Sequence, residues 1–324
     1  MGDLFDQKFF QELPAMRFLG AASQSASMAG LRKSTAKGSS VEFSDFREYL
    51  PGDDVRRLDW NAYARLGRLY MKLYREEREG IFTLYLDLSA SMDYGRQAKA
   101  RQVLRMAAVL AHMALVGQDR VKICLCGVPQ TQADQPQFPL HQSFHGSAAF
   151  QRVLRYLEQI EDWRGQRVEQ NESAQSRGSK NSASGEAVRF HGDGLWETIR
   201  RYPPDMGGTS ILLSDFMPED VTEQVKYLKL YRRQTVLLLQ VLAEEELHPD
   251  FAGTHALVDM EEGGQMRVTL TQGLMKSYQK ELEGLQHRLG TLASRYQCHY
   301  QCVSSSESAV AFLQKGTGRH WQKR

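Results

Sequence analysis

An aspartate and two serines, Asp87-x-Ser89-x-Ser91, follow directly on the apolar run Ile81-Phe82-Thr83-Leu84-Tyr85-Leu86. A carboxylate and two hydroxyls in that order, at a strand end before a helix, would set three hard oxygen donors on one rim of a sheet. Such donors suit Mg²⁺, which takes near-octahedral oxygen coordination and keeps some of its waters. A second apolar run, Ile211-Leu212-Leu213, ends in Ser214-Asp215. If the two runs are neighbouring strands, both carboxylates meet at the carboxyl edge of the sheet, where open α/β folds collect ligands. The competing reading is structural: Asp87 caps the following helix and the serines satisfy loop backbone groups.

A second constellation surrounds the turn Pro51-Gly52. It carries Glu48, Asp53, Asp54, Arg56, Arg57, Asp59 and the aromatic residues Tyr49 and Trp60. From 56 to 72 the chain is basic, with Arg56, Arg57, Arg65, Arg68 and Lys72 against Asp59 alone. Three roles fit these residues: a surface for a protein partner, a nucleic-acid patch, or an internal ion-pair network that braces the N-terminal segment. A surface for single-stranded nucleic acid interleaves stacking aromatics with its cations. Tyr63 and Tyr70 could serve, but both suit a core equally well, so nucleic acid ranks last.

Catalytic templates mostly fail, and nothing in the sequence supports a Ser89/His141 or Ser91/His145 dyad. No His-Glu-x-x-His, nucleophile elbow or phosphate-loop lysine occurs. Gly207-Gly208-Thr209-Ser210 precedes a strand instead of opening a helix, and reads as a turn. Cys124, Cys126, Cys298 and Cys302 lie in apolar strand patterns and read as reduced core thiols.

The elements that position these residues follow from periodicity. Leu69, Met71 and Leu73 alternate with polar or aromatic neighbours, as in a strand. Beyond residue 81, strands (81–88, 121–126, 211–215, 235–242, 297–303) alternate with helices (96–116, 148–160, 220–232, 273–295, 308–315). That order predicts a mostly parallel sheet with helices on both faces. An amphipathic helix is expected over 4–19, interrupted by Pro14, and a loop over 20–40. Residues 165–187 are almost devoid of apolar side chains and read as a disordered surface insertion. The expected organisation is an N-terminal extension at 1–80, a main domain at 81–316 and a tail at 317–324.

Composition excludes little else. A net charge of +2 gives no bulk attraction to nucleic acid or anionic membrane. No run approaches the ~18 apolar residues of a membrane span. The opening Met-Gly-Asp-Leu-Phe-Asp lacks the basic and apolar regions of a secretory leader, which predicts a cytoplasmic protein.

The block Glu42-Phe43-x-x-x-Arg47-Glu48-Tyr49-x-Pro51-Gly52-Asp53-Asp54-x-Arg56-x-Leu58-Asp59-Trp60-x-x-x-Ala64-Arg65, the charged run Tyr74–Glu79 and Asp87-x-Ser89-Ala90-Ser91-Met92 together resemble the bacterial domain-of-unknown-function family 58. That family lies in the von Willebrand factor A-like superfamily, and the resemblance extends from about residue 17 to 315. It implies an α/β, Rossmann-like von Willebrand A fold with an N-terminal extension. It implies a non-catalytic adaptor that acts with a MoxR-type AAA+ ATPase in chaperone-like maturation of a client protein. It also implies a metal-ion-dependent adhesion site holding Mg²⁺ on Asp87, Ser89, Ser91 and Asp215. The superfamily's threonine ligand has no clean counterpart: Asp193 stands where it is expected, and Thr198 and Thr209 are poorly spaced. A third carboxylate there would neutralise the ion and weaken its pull on a partner's carboxylate. The rival from another class is a metal-dependent hydrolase using the same rim.

Overall fold

The computed structural model describes residues 4–13, 41–51, 53–76, 80–128, 136–176, 194–217, 221–249, 253–258 and 265–313. The chain divides into two compact units, Leu19–Glu79 and the remainder, Met1–Phe18 with Gly80–Lys323. Residues 4–13 therefore do not belong with the rest of the expected 1–80 extension. The reason is apolar burial: Leu4, Phe5, Phe9 and Leu13 join the core of the larger unit through α1 (Gln7–Glu12). Asp6 caps that helix by accepting from Phe9 N at 2.7 Å. The loop expected at 20–40 and the helix beyond Leu13 lie outside the described residues.

In the smaller unit, β1 (Val41–Glu48) pairs antiparallel with β2 (Tyr70–Glu76), with a register irregularity between Phe43 and Asp45. A short 3-10 turn at Val55–Arg57 and α2 (Trp60–Leu66) connect them.

The larger unit is built on a six-stranded sheet. Its strands in chain order are β3 (Ile81–Asp87), β4 (Arg120–Cys126), β5 (His141–His145), β6 (Thr209–Ser214) and β7 (Thr235–Leu242), with β10 (His299–Ser304) last. A separate antiparallel hairpin, β8 (Gly253–Val258) with β9 (Gln265–Leu270), intervenes. Across the sheet the order is β10-β7-β6-β3-β4-β5. Every neighbour is parallel except β5, an antiparallel edge strand on β4. This is the mixed α/β fold that the strand–helix alternation predicts.

The helices are α3 (Lys99–Val116), α4 (Phe150–Ser176), α5 (Leu195–Arg201), α6 (Val221–Lys226), α7 (Glu244–Leu247) and α8 (Gln272–Arg295). Successive strand residues point to opposite faces, so β3 serves two cores. Leu84 and Leu86 join the cluster formed with α3 and α4, while Tyr85 joins the one formed with α5, α6 and α8. Burial on both faces explains why β3 and β7 read as nearly continuous apolar runs, interrupted within by Thr83 and Gln240, instead of alternating ones.

Two elements differ from expectation. Helix α4 runs on to Ser176, so the first half of the polar 165–187 segment is helical. Its Glu, Gln and Arg residues are good helix formers, and Arg167 lies 4.6 Å over the Trp163 ring one turn earlier. Residues 177–187 lie outside the described residues. The helix expected over 220–232 is α6 followed by a π-helical turn, Tyr227–Tyr231.

Candidate functional site

The carboxyl ends of β3 and β6 are adjacent, in register from Phe82 opposite Thr209 to Leu86 opposite Leu213. Chain order reverses between these strands, the place where open α/β sheets form a crevice. Asp87 and Asp215 are thus brought to one rim. Asp87 accepts from Ser89 N at 3.0 Å and Ser89 Oγ at 2.7 Å through Oδ1, and from Ser214 Oγ at 2.6 Å through Oδ2. Ser89 Oγ and Ser91 Oγ lie 3.3 Å apart. Burial, then the nearby Asp215 charge, push the Asp87 carboxyl above its usual range, against the hydroxyl and amide donors that pull it down.

Asp215 is held differently. Lys99 Nζ donates to Asp215 Oδ2 at 2.8 Å and to Glu246 Oε1 at 2.8 Å. Met217 N donates to Asp215 Oδ1 at 3.1 Å, across Phe216, whose φ of 53° is left-handed. Lys99 is only 1% exposed and is the first residue of α3. A cation at a helix N-terminus opposes the macrodipole, and the first turn of α3 carries no acidic residue. The charge is therefore balanced from other elements, by the end of β6 and by α7. Burial alone would push the Lys99 ammonium down; the Asp215 and Glu246 carboxylates outweigh that and hold it above its usual range.

Three further groups shape the rim, and the motif reading missed them. Glu246 Oε2 accepts from Ala243 N at 2.7 Å, so one carboxylate both fixes its own turn and meets Lys99. Arg164 of α4 donates to Asp93, at the end of the 3-10 turn Ala90–Asp93 that carries Ser91, and to Glu161 at 3.0 Å. Gly127, one residue past β4, has φ 71°, and a Cβ there would meet Ser89 N at 2.5 Å. Local signals existed for two of them: a glycine directly after a buried strand, and a run of three glutamates after another. Nothing local marks Lys99 as buried.

The oxygen donors expected to hold Mg²⁺ do not fit a divalent ion in this arrangement. An ammonium already sits on Asp215, and a divalent cation beside it would meet like-charge repulsion in a poorly solvated place. Both oxygens of Asp87 are engaged by protein donors. Among the described residues, no three His, Cys, Asp or Glu side chains gather as a metal site. Asp193 lies outside the described residues.

In the smaller unit the acidic residues brace the backbone. Asp53 takes Arg47 Nη2 at 2.6 Å and Leu50 N at 2.9 Å, and these two bonds, Arg47 first, draw its carboxyl below its usual range. Asp54 caps the 3-10 turn containing Arg56 and Arg57 through Arg56 N at 3.0 Å. Asp59 caps α2 through Asn61 N at 2.9 Å and Ala62 N at 3.1 Å. Glu48 makes a solvent-exposed pair with Arg68 at 3.5 Å, a type worth little. Trp60 remains 62% exposed, its ring edge-on to Tyr63 with centroids 6.4 Å apart.

The four cysteines are free thiols, three of them buried. Burial pushes the Cys124 thiol up to about 12. No described helix is long and apolar enough to cross a membrane.

Comparison with known proteins gives the following. A segment of 110 residues is 31% identical to uncharacterized proteins of Mycobacterium bovis and Mycobacterium tuberculosis; it is 34% of this chain and 35% of theirs. The chain thus matches about a third of those relatives' length. The crystal structure of the conserved hypothetical protein BatB from Bacteroides thetaiotaomicron overlaps 74% of this chain and 98% of its own, at 15% identity and TM-score 0.36. An aerotolerance-related membrane protein from Bacteroides fragilis overlaps 74% of this chain and 99% of its own, at 15% identity and TM-score 0.35. The family model "Protein of unknown function DUF58" matches residues 45–288, which take in the braced Pro51 turn, the Asp87 rim and most of α8. The chain belongs to the DUF58 family.

Proposed function

We propose that the chain is a non-catalytic, cytoplasmic protein-binding adaptor that works with a MoxR-type AAA+ ATPase on a client protein. The observation that carries this reading is the apolar face of the smaller unit. Helix α2 buries none of its residues, and Trp60, Tyr63 and Leu66 are all exposed, as are Leu50 and Val55 just before it. Asp53, Asp54 and Asp59 meanwhile bind backbone N–H groups around them. A rigidly braced turn that leaves tryptophan and tyrosine in solvent has the make-up of a protein-binding hot spot. Family membership supports the choice of ATPase, through the resemblance that the same residues carry.

The test is binding of the full chain to the purified MoxR-type ATPase of its own organism, with and without nucleotide. The wild type is expected to bind. Trp60→Ala with Tyr63→Ala is expected to weaken binding by about 2 kcal/mol or more, the cost of losing a hot spot. Absence of binding in every nucleotide state sinks the proposal, and full binding by the double variant removes this face from it.

A further inference from the structure

We propose that Lys99 is the resident cation of the strand-end rim, so that an ammonium of the chain itself does there what a bound divalent metal would do. The observations are geometric. Lys99 Nζ lies 2.8 Å from Asp215 Oδ2 and 2.8 Å from Glu246 Oε1, on a side chain almost wholly out of water. Its two partners come from different elements, the end of β6 and the first turn after β7. Lys99 itself opens the helix that follows β3. One cation therefore ties together the segments that follow β3, β6 and β7 at the carboxyl edge of the sheet.

Helix propensity does not explain the residue. The positive end of a helix is the least favourable place for a buried lysine, and its presence there makes sense only through the two carboxylates. The remaining oxygen donors are consistent with a filled cation position. Asp87 is satisfied by Ser89 and Ser214, and Phe216 and Met217 donate their N–H groups to Ser214 Oγ and Asp215 Oδ1 at 3.0 and 3.1 Å. The inference concerns the rim alone and stands or falls separately from the adaptor reading, which rests on α2.

The experiment titrates Mg²⁺ and Mn²⁺ into the full chain and follows heat, melting temperature and the electron paramagnetic resonance signal of free Mn²⁺. For the wild type the expected result is no saturable heat, no shift in melting temperature and an undiminished Mn²⁺ signal. For Lys99→Ala the expected result is a lowered melting temperature, partly restored by either ion, because the vacated carboxylates then take an external cation. Saturable Mn²⁺ binding by the wild type that disappears in Asp87→Ala overturns the proposal. So does a folded Lys99→Ala chain that gains no response to either ion. If Lys99→Ala does not fold, the wild-type Mn²⁺ signal still decides the question, since it needs no variant.

Discussion

Chemistry at the residue scale is set by how completely each polar group is satisfied. Asp87 looks like a ligand in the sequence, yet its three accepted hydrogen bonds make it equally the keystone of the loop that follows β3. That loop depends on Gly127. A side chain there would strike the Ser89 backbone, whereas Gly67, with a nearly identical φ of 67°, has nothing within 4 Å. The two glycines therefore separate conformation from contact. Gly67→Ala is expected to cost only the left-handed penalty, about 1–2 kcal/mol. Gly127→Ala should add an overpacking cost of about 1–3 kcal/mol. Denaturant midpoints at unchanged slope measure both; equal losses would mean that the contact with Ser89 carries no energy.

At the scale of elements, the caps decide which short pieces hold. Helix α2 has only seven residues and no buried side chain, so packing cannot sustain it. It is held by Asp59 at one end and by Gly67, in the left-handed conformation, at the other. Asp59→Ala is expected to destabilise the smaller unit by about 1 kcal/mol, the worth of an N-cap. Trp60 fluorescence should report this as a lowered midpoint for that unit. An unchanged midpoint would show that the cap is dispensable. The elements that the sequence reading did not place were β1, α2, the edge strand His141–His145, α5, α7 and the hairpin of β8 and β9. All but β1 have seven residues or fewer, too few for a period to declare itself, and β5 has just one buried residue, Phe144; β1, with eight, sits in the charged block that the sequence reads as a turn. Strands with buried faces, such as β7, were legible to the residue, because burial on both sides leaves a nearly continuous apolar run, with Gln240 its one internal polar residue.

For the whole molecule, charge and topology are the quantities that matter. A net charge of +2 leaves no broad cationic field, and Arg47 and Arg68 in the smaller unit already have acidic partners. Titration with single- and double-stranded DNA or RNA at low salt is accordingly expected to be flat. Binding with a steep salt dependence would instead establish the basic 56–72 stretch as a phosphate-contacting surface. By itself the sequence determined the alternation of strands and helices and the two strand ends that carry Asp87 and Asp215. It also determined the charged turn that identifies the family. These are local properties, written in periodicity and in the residue types on either side of an apolar run. Only the tertiary structure decided what those carboxylates meet. Lys99 and Asp215 are 116 residues apart, and Lys99 and Glu246 are 147 apart. Their encounter depends on β3, β6 and β7 lying side by side as parallel neighbours in one sheet. No spacing rule reaches across those distances, so a motif that reads as a metal site from its own residues becomes, once folded, a site with a cation of its own.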